Sequence, residues 1–235
     1  MKLLLLLLNA GKLGKVLLTS GTMLLSVFAY SWIFGWRYAV GFVGLIFAHE
    51  MGHYLAARQR GLNVGAPTFI PFVGAWIQLK DQPHNAETEA YVGVAGPLAG
   101  TLAALAVYYV AREQGSQWLL ALSYSGFFLN LFNLIPLSPF DGGRITAVIS
   151  PRLWLVGVPI LVALFFYRPS PLLILIAILA APNVLKAWRG VHESEQGYYL
   201  ASPETRFNYG LLYLGLAGFL AVMCDDLHRE LPRGF

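Results

Sequence analysis

The chain has 235 residues, of which 57% are hydrophobic and only 12% are charged, and its formal net charge is +4. A mean hydropathy of +0.60 is too high for a soluble globular domain and indicates an integral membrane protein. A basic balance can indicate nucleic-acid binding, but these cations fall mainly in loops between apolar segments, so nucleic acid is not an expected partner.

The predicted fold class is an all-α polytopic membrane protein with about six or seven transmembrane helices, because a helix satisfies its own backbone hydrogen bonds in lipid. The first apolar run is short and interrupted, and we expect it to be retained rather than cleaved as a signal peptide. Six spans result if the fifth and sixth segments form a tight helical hairpin. The predicted spans are residues 16–34, 36–57, 90–111, 117–137, 152–167, 172–188 and 209–224.

Between the second and third spans, residues 67–79 are apolar but too short to cross a membrane as a helix. The β-branched and aromatic residues after Pro71 favour an extended strand. Because unpaired strand edges are excluded from lipid, this segment must lie against protein or a wet cavity, where it could pair with an extended peptide. We therefore expect a short re-entrant or β-hairpin segment, with a loop packed at the membrane interface as the alternative.

The most informative stretch is His49-Glu50-Met51-Gly52-His53 in the second span. Residues i and i+4 of a helix lie on one face, so His49 and His53 can direct ring nitrogens at one zinc ion. In such sites the glutamate is not a ligand but activates water, which makes Glu50 the candidate base. Ionisable groups at membrane depth are costly, and this cost favours a functional site over two inert histidines.

A catalytic zinc ion needs three protein ligands and an open position for water. Cys224 is the only cysteine, so the ligands must be histidine and carboxylate. Asp141 is the only aspartate between Asp81 and Asp225, and the nearest glutamates lie in polar loops, so Asp141 is the candidate third ligand. The prolines and glycines around it predict irregular backbone near a membrane surface.

The distribution of lysine and arginine predicts the orientation of the chain. With a cytoplasmic N-terminus, eleven of the 16 Lys and Arg residues fall inside and five outside. This orientation places the ends of the second and fourth spans on the cytoplasmic side, where His53 and Asp141 can meet. A multi-pass protein of a prokaryotic plasma membrane, with its active-site opening on the cytoplasmic side, suits this pattern.

Two motifs together resemble the site-2 protease family of intramembrane zinc metalloproteases. That family pairs H-E-x-x-H with N-x-x-P-x-x-x-x-D-G, and residues 133–143 read N-L-I-P-L-S-P-F-D-G-G. The Gly96-Pro97 segment between the two motifs is also similar to the family. The resemblance covers roughly residues 42–144, and it implies one membrane-embedded domain with a catalytic core at about 36–150 and C-terminal helices at 151–235.

The resemblance implies that His49, His53 and Asp141 bind one zinc ion per chain and that Glu50 is the catalytic base. It also implies a substrate protein that is cleaved within or near a transmembrane segment, in regulated intramembrane proteolysis. Asn133 matches the motif asparagine and is a candidate for holding the substrate backbone or the oxyanion, with a structural helix cap as the alternative.

Phe72, Val73 and Gly74 in the predicted hairpin are candidates for holding an unwound substrate strand. The loops are too short for the PDZ or nucleotide-binding modules of many relatives, so a separate regulatory or adaptor protein is a possible partner besides the lipid bilayer. A membrane zinc transporter or sensor with the same His and Asp residues is the alternative function. The absence of a second copy of either motif, and the presence of Glu50, favour the protease.

Overall fold

The computed structural model describes residues 2–71, 74–79 and 81–231. In these ranges the chain forms nine α-helices, two 3-10 turns and one β-hairpin. The elements in chain order are α1 (Lys2–Phe34), α2 (Trp36–Gln59), β1 (Val64–Ile70), β2 (Gly74–Leu79), α3 (Ala86–Gln114), α4 (Gln117–Asn133), α5 (Asp141–Ile149), a 3-10 turn (Pro151–Leu153), α6 (Trp154–Tyr167), α7 (Pro171–Arg189), α8 (Glu193–Gln196), a second 3-10 turn (Gly197–Tyr199) and α9 (Pro203–Glu230).

The chemistry of single residues sets several helix ends. Gly35 has a φ of 80°, which a residue with a side chain rarely adopts, and it separates α1 from α2. The side chain of Asn85 accepts a hydrogen bond from the backbone N–H of Thr88 at 2.8 Å and caps α3. At the other end of α3, Gly115 takes the left-handed conformation, with a φ of 61°, that commonly terminates a helix.

Helix α3 lies at the centre of the fold and packs against α2, α4 and α5. Helix α9 covers α4 and α5, while α1 lies against α2 and β1. Small residues allow neighbouring membrane helices to approach closely, and they line the buried side of α3. These residues include Gly93, Gly96, Gly100, Thr101 and Ala104.

Among the described residues, four helices are long and apolar enough to cross a membrane, judged by length and composition. They are residues 17–34 of α1 and the whole of α3, α7 and α9. Large apolar side chains point outward, such as Leu24 with 68% and Trp32 with 81% of the residue exposed, and such a surface suits lipid contact. The prediction of a helical membrane protein is confirmed, whereas the count of six or seven spans stays a prediction.

Strands β1 and β2 lie between α2 and α3 and pair antiparallel, with Ile70 opposite Gly74. The hairpin packs against α1 and α2. For this segment the sequence allowed three alternatives: a re-entrant segment, a hairpin or an interfacial loop. Phe72 and Val73, which stand between the strands in sequence, lie outside the described residues.

The connection from α4 to α5, residues 134–140, is irregular, as its prolines predict. Asp141 is not part of it, however, because this residue is the first of α5, and the prediction of irregular backbone at Asp141 was wrong. The chain turns tightly here, since a Cβ added at Gly142 would lie 2.2 Å from the carbonyl oxygen of Leu134. A carboxylate in the first turn of a helix is favoured by the helix dipole.

The packing of α2 on α3 can be tested at Gly52, where an added Cβ would lie 2.2 Å from the carbonyl oxygen of Ala95. We expect Gly52→Ala to separate the helices and to lower the free energy of unfolding by about 1–3 kcal/mol. The thermal unfolding midpoint in detergent measures this change. Gly44→Ala is the matched control, because a Cβ at this position of the same helix meets nothing within 4 Å. Equal midpoints for the two variants would contradict the close approach.

Candidate metal centre

Three side chains from distant parts of the chain meet in the core: His49 and His53 from α2, and Asp141 from α5. Nε2 of His53 lies 3.1 Å from Nε2 of His49 and 3.1 Å from Oδ2 of Asp141. Nε2 of His49 lies 3.2 Å from the same carboxylate oxygen. All three residues are buried, with 4–7% of each exposed. The structure thus brings together the three residues that the sequence singles out as ligands.

The triangle of these three atoms has the size that a zinc ion requires. Ligands at about 2.0–2.1 Å from zinc in a tetrahedron lie about 3.3 Å from one another, close to the observed separations. Two imidazoles and one carboxylate leave a fourth position, as in catalytic rather than structural zinc sites. Within the described ranges of the chain, this is the one group of His, Cys, Asp or Glu side chains placed to hold a metal ion.

The other nitrogen of each imidazole is held by an oxygen acceptor. Nδ1 of His53 lies 2.7 Å from the carbonyl oxygen of Val92, and a carbonyl oxygen can only accept, so this Nδ1 carries the proton. Nδ1 of His49 lies 2.8 Å from Oδ1 of Asn130 and is protonated for the same reason. Both Nε2 atoms therefore present lone pairs to the centre of the triangle, in the tautomer that binds metal.

All three atoms of the triangle are buried hydrogen-bond acceptors, and none of them carries a proton to donate to the other two. Leaving one buried polar atom without a partner costs about 1–3 kcal/mol, and more where the group is charged. A cation at the centre satisfies all three atoms at once. The donor set of His49, His53 and Asp141 therefore fits a divalent metal ion, and two nitrogens with one oxygen suit zinc.

Glu50 borders the triangle and is itself buried, with 7% of the residue exposed. At about 100° per residue, its side chain leaves α2 about 60° around the helix axis from that of His53. This direction places a carboxylate beside the ligand face and not within it. The placement suits a proton acceptor for a water molecule at the fourth position.

Helix α3 leaves room for the imidazole of His53. A Cβ added at Gly96 would lie 2.2 Å from Nε2 of His53, the atom that faces the triangle. Gly96 belongs to the glycine-proline segment that the sequence singles out. Its lack of a side chain is therefore a requirement of the site.

The second oxygen of Asp141 faces a polar network. Nη1 of Arg144 lies 3.7 Å from Oδ1 of Asp141, and Nε of Arg144 lies 3.7 Å from Oε1 of Glu89. The hydroxyl of Tyr198 donates to Oε2 of Glu89 at 2.6 Å. Burial and this carboxylate raise the pKa of Tyr198, so the phenol stays a donor. The network joins Asp141 to α3 and to the connection between α7 and α9.

Along α2 and α3 the triangle lies below the nearer helix ends, while Asp141 contributes to it from the first residue of α5. His53 stands six residues before the end of α2 at Gln59, which is about 9 Å of helix. Val92, whose carbonyl holds His53, stands six residues after the start of α3 at Ala86. The site is therefore about two helical turns inside the apolar body.

The remaining predicted site residues have different outcomes. Asn133 is the last residue of α4, and its Nδ2 donates to the carbonyl oxygen of Leu129 at 3.0 Å within that helix. Gly74 begins β2, while Phe72 and Val73 fall outside the described residues. The functions of these four residues stay predictions.

Sequence reasoning missed Asn130, which lies one helical turn before Asn133 and whose side-chain amide contacts Nδ1 of His49. A signal was present, because Asn130 is a polar side chain in an apolar run at membrane depth. Sequence reasoning also missed Arg144, which faces Asp141.

Comparison with known proteins shows which sequences this chain is similar to. Residues 37–124 match peptidase family M50, a range that contains the histidine motif and the glycines of α3 but ends before Asp141. The matched part of the chain is similar to this family, which is the site-2 protease family. The relatives that it matches include zinc metalloprotease MJ0392 of Methanocaldococcus jannaschii, 31% identical over 109 residues, which are 44% of this chain and 31% of the relative.

Two further relatives carry names that assign them provisionally to the zinc metalloproteases. The first is sll0528 of Synechocystis sp., 31% identical over 120 residues, which are 48% of this chain and 31% of the relative. The second is Rip3 of Mycobacterium tuberculosis, 31% identical over 124 residues, with the same 48% and 31% coverage. The chain therefore spans about a third of the length of these relatives.

The metal centre can be tested by replacing one ligand. We expect His53→Ala to weaken zinc binding by more than about 100-fold. Removing a residue that only hydrogen-bonds to a metal ligand lowers metal affinity by about 10- to 100-fold, and removing the ligand itself should lower it further. Metal analysis of the purified chain and competition with a chelator measure the effect. His84→Ala is the matched control, because His84 is exposed in the connection before α3. Equal zinc retention in both variants would place the metal elsewhere.

Proposed function

We propose that the chain is a zinc metalloendopeptidase of the site-2 protease type, which hydrolyses a peptide bond within or near a transmembrane segment of a membrane protein. The observation that carries this proposal is the buried triangle of His49, His53 and Asp141 beside Glu50. Its position about two helical turns inside an apolar body favours a substrate that enters from the bilayer. The relatives named as zinc metalloproteases support the same chemistry.

In the proposed reaction, Nε2 of His49, Nε2 of His53 and Oδ2 of Asp141 hold the zinc ion. When bound, zinc supplies a Lewis acid that polarises the scissile carbonyl and the attacking water. Glu50 accepts the proton of that water and passes it to the leaving amine. Asn130 and Val92 keep the two imidazoles in the ligand tautomer throughout.

The β-hairpin offers a place for the substrate backbone. A transmembrane helix shields its peptide bonds, so cleavage requires a locally extended strand. Helix α1 holds β1, because Thr19 donates to the carbonyl oxygen of Pro67 at 2.7 Å and Thr22 accepts from the N–H of Phe69 at 3.2 Å. In the described part of the chain β2 pairs only with β1, so the substrate can add as a third strand along β2.

The proposal includes a topology. Helices α2 and α4 also cross the bilayer, giving six or seven spans, and the N-terminus lies in the cytoplasm. The α2 end near Gln59 and the α3 start near Ala86 then face the cytoplasm, and the active site opens on that side. A prokaryotic plasma membrane suits this arrangement. The substrate would be selected by the membrane core itself, by the polar segment 189–208 or by a separate regulatory or adaptor protein.

The function is tested by cleavage of a reporter transmembrane segment in liposomes with wild type, Glu50→Gln and Asp141→Ala. We expect wild type to bind one zinc ion and to cut. Glu50→Gln should keep the zinc ion and lose cleavage by at least about 100-fold, the lower end of general-base effects. Asp141→Ala should lose both zinc and cleavage. Cleavage by Glu50→Gln would refute the assigned base, and zinc binding by a wild type that never cuts would favour a transporter or sensor.

The strand-addition proposal is tested at the residues between the strands. We expect Phe72→Pro and Val73→Pro to raise the KM for the reporter segment while zinc content stays that of wild type, because the fixed φ of proline just before Gly74, the first residue of β2, would displace the strand edge with which the substrate is proposed to pair. Steady-state cleavage with metal analysis of the same samples separates the two effects. Unchanged cleavage by both variants would contradict the strand-addition proposal.

A further inference from the structure

We propose that Asn130 is a positioning residue, which sets the tautomer and ring orientation of His49 and thereby the metal affinity of the triangle. The inference rests on the proposed zinc centre. It concerns a side chain that lies on α4, outside both family motifs, and that contacts none of the reacting groups directly.

Both ends of the Asn130 amide are engaged in the core. Asn130 is 1% exposed. Its Oδ1 lies 2.8 Å from Nδ1 of His49, and its Nδ2 donates to the carbonyl oxygen of Gly126 at 2.7 Å. A flipped amide would set its NH2 group against a protonated Nδ1 and its oxygen against a carbonyl oxygen. The carbonyl of Gly126 therefore fixes the amide so that an acceptor faces His49.

Helix α3 confines the amide from the other side. A Cβ added at Gly100 would lie 2.3 Å from Oδ1 and 2.7 Å from Nδ2 of Asn130. The amide therefore fills the space that a glycine provides, between α3 and α4. A side chain in such a space has one position, which is the property that a positioning residue needs.

The two histidines differ in how their outer nitrogens are held. His53 is held by the backbone carbonyl of Val92, whose position follows from the fold of α3. His49 depends on a side chain, because Oδ1 of Asn130 is the acceptor at its Nδ1. Without this acceptor, the carboxylate of Asp141, 3.2 Å from Nε2 of His49, favours the tautomer with the proton on Nε2. This tautomer would place an N–H where the triangle needs a lone pair. Loss of such partners typically weakens metal binding by about 10- to 100-fold.

Asn133 offers a matched control in the same helix. Its Nδ2 also donates to the carbonyl oxygen four residues earlier, that of Leu129, at 3.0 Å. The two asparagines differ in that Asn130 contacts His49 and packs against Gly100 in the core, whereas Asn133 is half-buried at the end of α4. Replacing either one removes the same hydrogen bond within α4.

The experiment measures zinc affinity by chelator competition on the full chain in detergent, for wild type, Asn130→Leu, Asn130→Ala and Asn133→Ala. Asn130→Leu keeps nearly the volume of the side chain and removes the acceptor. We expect both Asn130 variants to bind zinc about 10- to 100-fold more weakly than wild type. Asn133→Ala should bind zinc as wild type does.

A second readout separates positioning from general destabilisation. Histidine-selective ¹⁵N NMR of the zinc-free chain should show His49 protonated at Nδ1 in wild type and Asn133→Ala, and a mixture of tautomers in Asn130→Leu. Wild-type zinc affinity in Asn130→Leu, or an unchanged His49 tautomer, would overturn the inference while leaving the proposed protease intact. A wild type that binds no zinc would instead overturn the zinc centre and the inference together.

Discussion

Three electron-pair donors held within 3.2 Å of one another in a buried place repel each other unless a cation lies between them. The surrounding packing has to resist that repulsion. Glycines at positions 52, 96 and 100 allow α2, α3 and the Asn130 amide to approach where a Cβ would lie 2.2–2.3 Å from a neighbouring atom. Because the helices cannot relax outward without losing these contacts, the same packing that forms the core also preforms the metal centre.

The spacing of His49 and His53 was predictable, because four residues of helix return to nearly the same face whatever surrounds them. Asp141 could be proposed from the scarcity of aspartates, although its place at the start of α5 depends on the tight turn at Gly142. Asn130 and Val92 could not be assigned. Their contacts depend on the rotation and closeness of α3 and α4 against α2, which hydropathy does not encode.

Most predicted spans were shorter than the helices for a related reason, although residues 117–137 ran past the end of α4 at Asn133 and residues 152–167 began before α6 at Trp154. Residues 209–224 mark the apolar part of the last helix, but α9 runs from Pro203 to Glu230. The hydroxyl of Ser202 accepts a hydrogen bond from the backbone N–H of Thr205 at 3.0 Å, so the helix begins at a capping residue in a polar stretch. Hydropathy reports the length that lies in lipid, whereas capping and turn residues set where helices end.

The proposed hydrolysis needs a route for water to a site buried among apolar helices, and the polar network on Asp141 is the candidate for that route. Arg144 and Glu89 have side chains that are 24% and 27% exposed, while Asp141 itself is nearly enclosed. Exposure thus rises from the triangle toward the connection between α7 and α9, where Tyr198 holds Glu89. In the proposed protease, water would enter along these charged groups and the substrate from the apolar side, so the two would approach the site from different directions.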